Sequence, residues 1–187
     1  MIALHLLRHA HAGDPARWEG DDFDRPLSEK GRRQAKALGA LLATLDEPPD
    51  LFVTSPRVRA AQTAELVAKS LGGAVPVVVD ERLAGPLDPD AVTAILLDAG
   101  ASLRPCIVGH DPDFSELLGE LVGAGDIPMR KGALARIDFD ADGVSAGRGE
   151  REPGGGGAGI AADARDAVAV DPDLTVRQPR TTSGGKR

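Results

Sequence analysis

The chain has 187 residues, enough for one ordinary domain with a sizeable core, and its net charge of −7 argues against a nucleic-acid or acidic-membrane partner. Aromatic residues are limited to Trp18, Phe23, Phe52, Phe114 and Phe139, so the core must be built from Leu, Val, Ile and Ala. A single cysteine, Cys106, excludes an intramolecular disulfide framework; no stretch is long enough to span a bilayer, and no secretory leader is recognisable, so a cytoplasmic protein is the expectation.

Ile2 to Leu7 is a short apolar run that predicts a buried strand ending in Arg8-His9. Ser28 then predicts the cap of a helix with apolar positions Ala35, Leu38, Leu41, Leu42 and Leu45. Leu51 to Thr54 reads as a second strand. Ser55-Pro56 reads as a cap followed by proline at the first helical position, with Ala60, Ala64, Val67 and Leu71 as the inner face. Val75 to Val79 reads as a third strand, and Asp88-Pro89 as the start of a helix containing Val92, Ile95 and Leu96. Cys106-Ile107-Val108 follows as a fourth strand. Asp111-Pro112 opens a helix with Phe114, Leu117, Leu118 and Leu121, and Ala133 to Phe139 is a further strand. Strands alternating with helices predict a three-layer α/β sandwich, a mainly parallel central sheet flanked by helices.

Composition changes near residue 141. The stretch from Ala141 to Arg187 has no aromatic residue and holds 10 of the 23 glycines. Residues 1–140 are therefore expected to be the folded domain, and 141–187 a largely disordered tail with a possible edge strand near 174–176.

In open α/β folds, ligands collect beyond the carboxyl ends of the strands. The first strand ends in Arg8-His9, the second leads to Arg57 and Arg59, and the fourth ends in Gly109-His110. Taken singly, each is most simply a surface residue. Arg8, His9, Arg59 and His110, four cationic or cation-capable groups at one sheet edge of an acidic chain, however, call for an anion. A phosphate suits them, because arginines offer forked donors and helix N-termini offer free N–H groups. A neutral imidazole can attack phosphorus, giving a phosphohistidine that water later hydrolyses. Such a site needs no metal or other cofactor when arginines carry the phosphoryl charge.

The motifs Leu7-Arg8-His9-Ala10, Asp24-Arg25-Pro26-Leu27-Ser28, Thr54-Ser55-Pro56-Arg57-Val58-Arg59 and Val108-Gly109-His110-Asp111-Pro112 stand in this order. Over roughly residues 1–140 the sequence resembles the histidine phosphatase superfamily, and within it the small bacterial SixA-like phosphohistidine phosphatases. The resemblance implies a phosphoglycerate mutase-like fold, His9 as the phosphorylated nucleophile, and Arg8, Arg59 and His110 as phosphate-pocket residues. Arg57 matches a flanking motif position, and His11 reads as a rim residue. Many ester-cleaving relatives carry a glutamate after the third strand; Gly85 stands at the matching position here. An imidazole leaving group needs less protonation than an alkoxide. The expected substrate is therefore phosphohistidine in a protein, with a small phosphorylated molecule as the alternative.

Three other readings fit parts of the pattern. His9, His11, Asp14 and His110 could form a metal cluster, but two nearby arginines would repel a divalent cation. Cys106 could be a nucleophile, but no arginine follows it closely enough to hold a phosphate. A non-catalytic phosphate-binding module could dispense with His9.

Overall fold

The computed structural model describes residues 1–72, 75–100 and 102–139, together with the backbone of 167–170. The chain runs β1 (Ile2–Arg8), α1 (Glu29–Leu42), β2 (Leu51–Thr54), α2 (Val58–Ser70), β3 (Val77–Val79), α3 (Pro89–Asp98), β4 (Pro105–Gly109), α4 (Asp113–Leu121), β5 (Leu134–Phe139) and β6 (Ala167–Val170). Short 3-10 turns lie at Pro15–Arg17, Asp22–Asp24 and Glu81–Ala84.

The strands form one sheet in the order β3-β2-β4-β1-β5-β6. The first four are mutually parallel, β5 is antiparallel to β1, and β6 is antiparallel to β5. Both sheet faces are covered, so the central strands are buried along nearly their whole length rather than alternating, His5 and Thr54 being the polar residues buried with the apolar ones. Leu4, Leu6, Val53 and Ile107 face one layer, where they pack with Val92 and Ile95 of α3 and with Phe114, Leu117 and Leu121 of α4. Leu7, Phe52, Cys106 and Val108 face the other layer, against Ala35, Leu38 and Leu42 of α1 and Ala60, Ala64 and Val67 of α2. This is the expected three-layer sandwich.

The helix starts follow from their caps. The Ser28 side chain accepts the Gly31 N–H, and the Asp88 side chain accepts the Ala91 N–H. α2 departs from the expectation: it begins at Val58 with Arg57 as its N-cap and has no side-chain cap bond. Ser55 is instead drawn toward the β4 edge. Pro56 lies in the turn between, so the proline does not open the helix. Leu41 and Leu45, expected on the inner face of the first helix, are each 39% exposed: Leu41 lies off the face formed by Ala35, Leu38 and Leu42, and Leu45 lies beyond the end of α1 at Leu42. The third strand is shorter than the run that predicted it, beginning at Val77 rather than Val75. The edge strand expected near 174–176 and most of the expected tail lie outside the described residues. Within that region the described strand is Ala167–Val170, with Val170 opposite Leu134 and Ala167 opposite Ile137.

Register sets up the site. Arg8 pairs with Gly109 and Leu7 with Val108, while Thr54 also pairs with Val108. The residues just beyond, His9, Ser55 and His110, therefore emerge side by side at one sheet edge. The His9 N–H donates to the Gly109 carbonyl at 3.0 Å, and the Ser55 N–H to the Val108 carbonyl at 3.0 Å.

Candidate active site

His9 is the first residue past β1 and is buried. Its Nδ1 lies 2.8 Å from the Ala10 carbonyl oxygen. A carbonyl can only accept, so Nδ1 carries the proton and Nε2 carries the lone pair. Nε2 in turn accepts from the Arg59 Nε–H at 3.2 Å. Burial pushes the His9 pKa down to about 3; the Ala10 carbonyl opposes this, and His110, Arg59 and Arg8 deepen it. The ring is a neutral, oriented imidazole whose Nε2 electron pair faces the arginines and accepts the Arg59 Nε–H.

His110 follows β4. Its Nε2 is 2.8 Å from the Ser55 hydroxyl, and its ring centroid is 5.2 Å from that of His9. Burial, then Arg59 and Arg57, push its pKa down to about 3. Its Nδ1 is buried with no hydrogen-bond partner among the described residues.

Arg59 sits in the first turn of α2 and is 5% exposed. Its Nη1 donates to the Asp22 main-chain oxygen at 2.7 Å and its Nη2 pairs with the Asp22 carboxylate at 3.1 Å. Arg57, at the helix cap, reaches the same carboxylate at 3.4 Å. Arg8 donates to the Met129 carbonyl and pairs with Asp111 at 3.4 Å. The Nε atoms of Arg8 and Arg57 are buried without partners among the described residues. The two orphaned guanidinium nitrogens are donors awaiting acceptors, the His110 Nδ1 is a third in the tautomer that protonates it, and a phosphoryl group supplies acceptor oxygens.

All five residues singled out from sequence thus converge on one edge. Sequence reasoning missed three others. Ser55 was read as a helix cap but bonds His110. Asp22 was given no role, yet it pairs with Arg25 at 2.7 Å as well as with Arg57 and Arg59. Arg25, within the quoted Asp24-to-Ser28 motif, is buried and donates to the Ala12 carbonyl at 2.7 Å. A carboxylate three positions before a proline-adjacent arginine was the available signal. His11 does not join the cluster; its Nδ1 bonds the Ser28 hydroxyl at 2.7 Å.

Gly85 ends the turn after β3 and brings no acid to the site. Asp88 is engaged as the α3 cap, and Glu81 is exposed. Among the described residues no group of three or more His, Cys, Asp and Glu side chains could hold a metal, and Asp14 is occupied in capping the Pro15–Arg17 turn. Cys106 is fully buried on β4, and burial pushes its thiol pKa up, away from thiolate chemistry. A separate apolar cavity, lined by Ile2, Leu96, Leu97, Leu103 and Phe139, opens near the opposite ends of the strands; none of its lining residues is titratable.

Comparison with known proteins gives a consistent result. The sequence model of the histidine phosphatase superfamily (branch 1) matches residues 4–85. An uncharacterized protein of Picosynechococcus sp. is 35% identical over 154 residues, covering 75% of this chain and 92% of that protein. An 8-oxo-(d)GTP phosphatase of Mycolicibacterium smegmatis is 36% identical over 106 residues, covering 54% of this chain and 32% of that one. Among solved structures, a candidate phosphohistidine phosphatase SixA from Agrobacterium tumefaciens superposes with a TM-score of 0.59 at 25% identity, covering 74% of this chain and 92% of that one.

Proposed function

The chain belongs to the histidine phosphatase superfamily, and from that premise we propose that it dephosphorylates phosphohistidine in proteins through a covalent intermediate on His9. The observation that carries the reading is the His9 tautomer. Its Nδ1 proton is pinned on the Ala10 carbonyl, so the Nε2 lone pair is presented to the arginine cluster.

In this reading His9 Nε2 attacks phosphorus, a P–N bond to the enzyme forms, and the P–N bond to the substrate imidazole breaks. The substrate ring carries a proton on its other nitrogen, so breaking its P–N bond releases a neutral imidazole with no proton taken from the chain. Arg8 and Arg59 hold the phosphoryl oxygens, Arg57 adds positive charge from the α2 cap, and the His110 Nδ1 provides a further donor when that nitrogen carries the proton. Water then cleaves the phosphohistidine, returning free His9 and phosphate. The preference for phosphohistidine rests on Gly85: no acid stands there to protonate an alkoxide, and an imidazole needs that help least.

A small-molecule phosphomonoesterase is the second reading. The similarity to an 8-oxo-(d)GTP phosphatase favours it. Side-by-side turnover of a phosphohistidine peptide and of sugar and nucleotide phosphates separates the two. The peptide is expected to show the higher kcat/KM. Faster turnover of any of the esters would overturn the substrate assignment.

A further inference from the structure

Asp22 places a carboxylate where a cation cluster built for phosphate would hold its ligand. One oxygen pairs with the Arg25 Nε at 2.7 Å, and the other lies 3.1 Å from Arg59 and 3.4 Å from Arg57. Bringing several guanidinium groups together without an anion is costly, and burial already lowers the Arg59 pKa. In the free protein the neutralising charge comes from the chain itself.

The carboxylate is not needed as a strut for Arg59 or Arg25. Arg59 is anchored through Nη1 by the Asp22 main-chain oxygen and through Nε by His9. Arg25 is anchored by the Ala12 carbonyl. The 3-10 turn that carries Asp22 is capped by a different side chain, that of Asp21, which accepts the Phe23 N–H at 2.9 Å. The Asp22 side chain is 47% exposed, free to swing into solvent while its backbone stays bonded. The arrangement therefore separates a fixed main-chain contact, which positions Arg59, from a movable charge.

We propose that Asp22 is an internal counter-anion: it occupies Arg57 and Arg59 in the free enzyme, yields them to the phosphoryl group of the substrate, and so sets the affinity for phosphate. This rests on the phosphatase reading above and adds to it an affinity-determining residue. A resident anion lowers the affinity for substrate and for product phosphate alike, because its ion pairs must break before the dianion can take the same donors. It thereby limits inhibition by the phosphate that each turnover releases.

The test is the affinity of the full chain for inorganic phosphate, measured by calorimetry on the wild type, Asp22→Asn and Asp22→Glu. Asp22→Asn keeps the main-chain contact and removes the charge. It should bind phosphate about threefold to tenfold more tightly, given partly exposed ion pairs, while Asp22→Glu stays near wild type. Unchanged or weaker binding by a folded Asp22→Asn overturns the proposal. Should that variant not fold, a crystal structure of the wild type with phosphate decides: the Asp22 carboxylate should have left Arg57 and Arg59, and its persistence at ion-pair distance overturns the idea. Absence of phosphate binding by the wild type would bring down the phosphate pocket itself. Binding that ignores Asp22 would remove only the counter-anion.

Discussion

Three histidines in this chain are held neutral, and in each case burial is the first cause. His9 and His110 are pushed down to about 3, with neighbouring arginines adding to the effect, and His5, inside β1, is pushed to about 4 against the opposing pull of the Pro105 carbonyl. For His9 the consequence is chemical: an imidazole that stays neutral keeps its lone pair. For all three there is a consequence for stability. Their folded values lie below the ordinary 6.5, so between about pH 4 and pH 6.5 the unfolded chain binds more protons than the folded one. This part of the stability is fully present above pH 6.5 and is lost as the pH falls toward 4. The expected outcome is a Tm that declines on acidification from about pH 7 to about pH 5, while ring-nitrogen NMR of the still-folded protein shows His9 as the neutral, Nδ1-protonated tautomer throughout. A His9 titration midpoint near 6.5 would contradict this.

At the scale of elements, the two helices that cover one face of the sheet, α1 and α2, cross closely. A side chain added at Gly39 of α1 would lie 2.5 Å from the Ser70 Cβ and 2.9 Å from the Val67 carbonyl of α2. Gly39→Ala should therefore cost about 1–3 kcal/mol by overpacking, read as a lower urea midpoint, with kcat of the folded fraction preserved because Arg59 lies at the other end of α2. Unchanged stability would show that the helices can part without cost. The element order was legible in the sequence because apolar runs and helix caps recur at regular intervals from Ile2 to Phe139. The start of α2 was not. Ser55-Pro56 has the form of a cap, but the pull of the Ser55 hydroxyl toward His110 is a tertiary contact that local pattern cannot report. The local spacing of Asp22 and Arg25 hinted at one of its pairs, but its other two arginine partners lie more than thirty positions along the chain and were not legible. Arg8, His9, Arg59 and His110 were legible because strand ends in a parallel sheet share an edge.

The whole molecule uses one sheet to gather a site from three strands. β1, β2 and β4 deliver His9, Ser55 and His110, α2 delivers Arg57 and Arg59, and the turn at Asp22–Asp24 closes over the arginines. No helix of the described residues is long and apolar enough to cross a membrane. The relatives that match along most of their own length cover about three-quarters of this chain. The central claim is that His9 carries the phosphoryl group during turnover. Its most direct measurement is rapid-quench labelling of the enzyme with a radiolabelled phosphohistidine substrate, followed by localisation of the acid-labile phosphate. The account predicts a transient burst of label on His9 that decays with phosphate release and is absent in His9→Ala. Turnover without any labelled enzyme, or label that persists in His9→Ala, would contradict it.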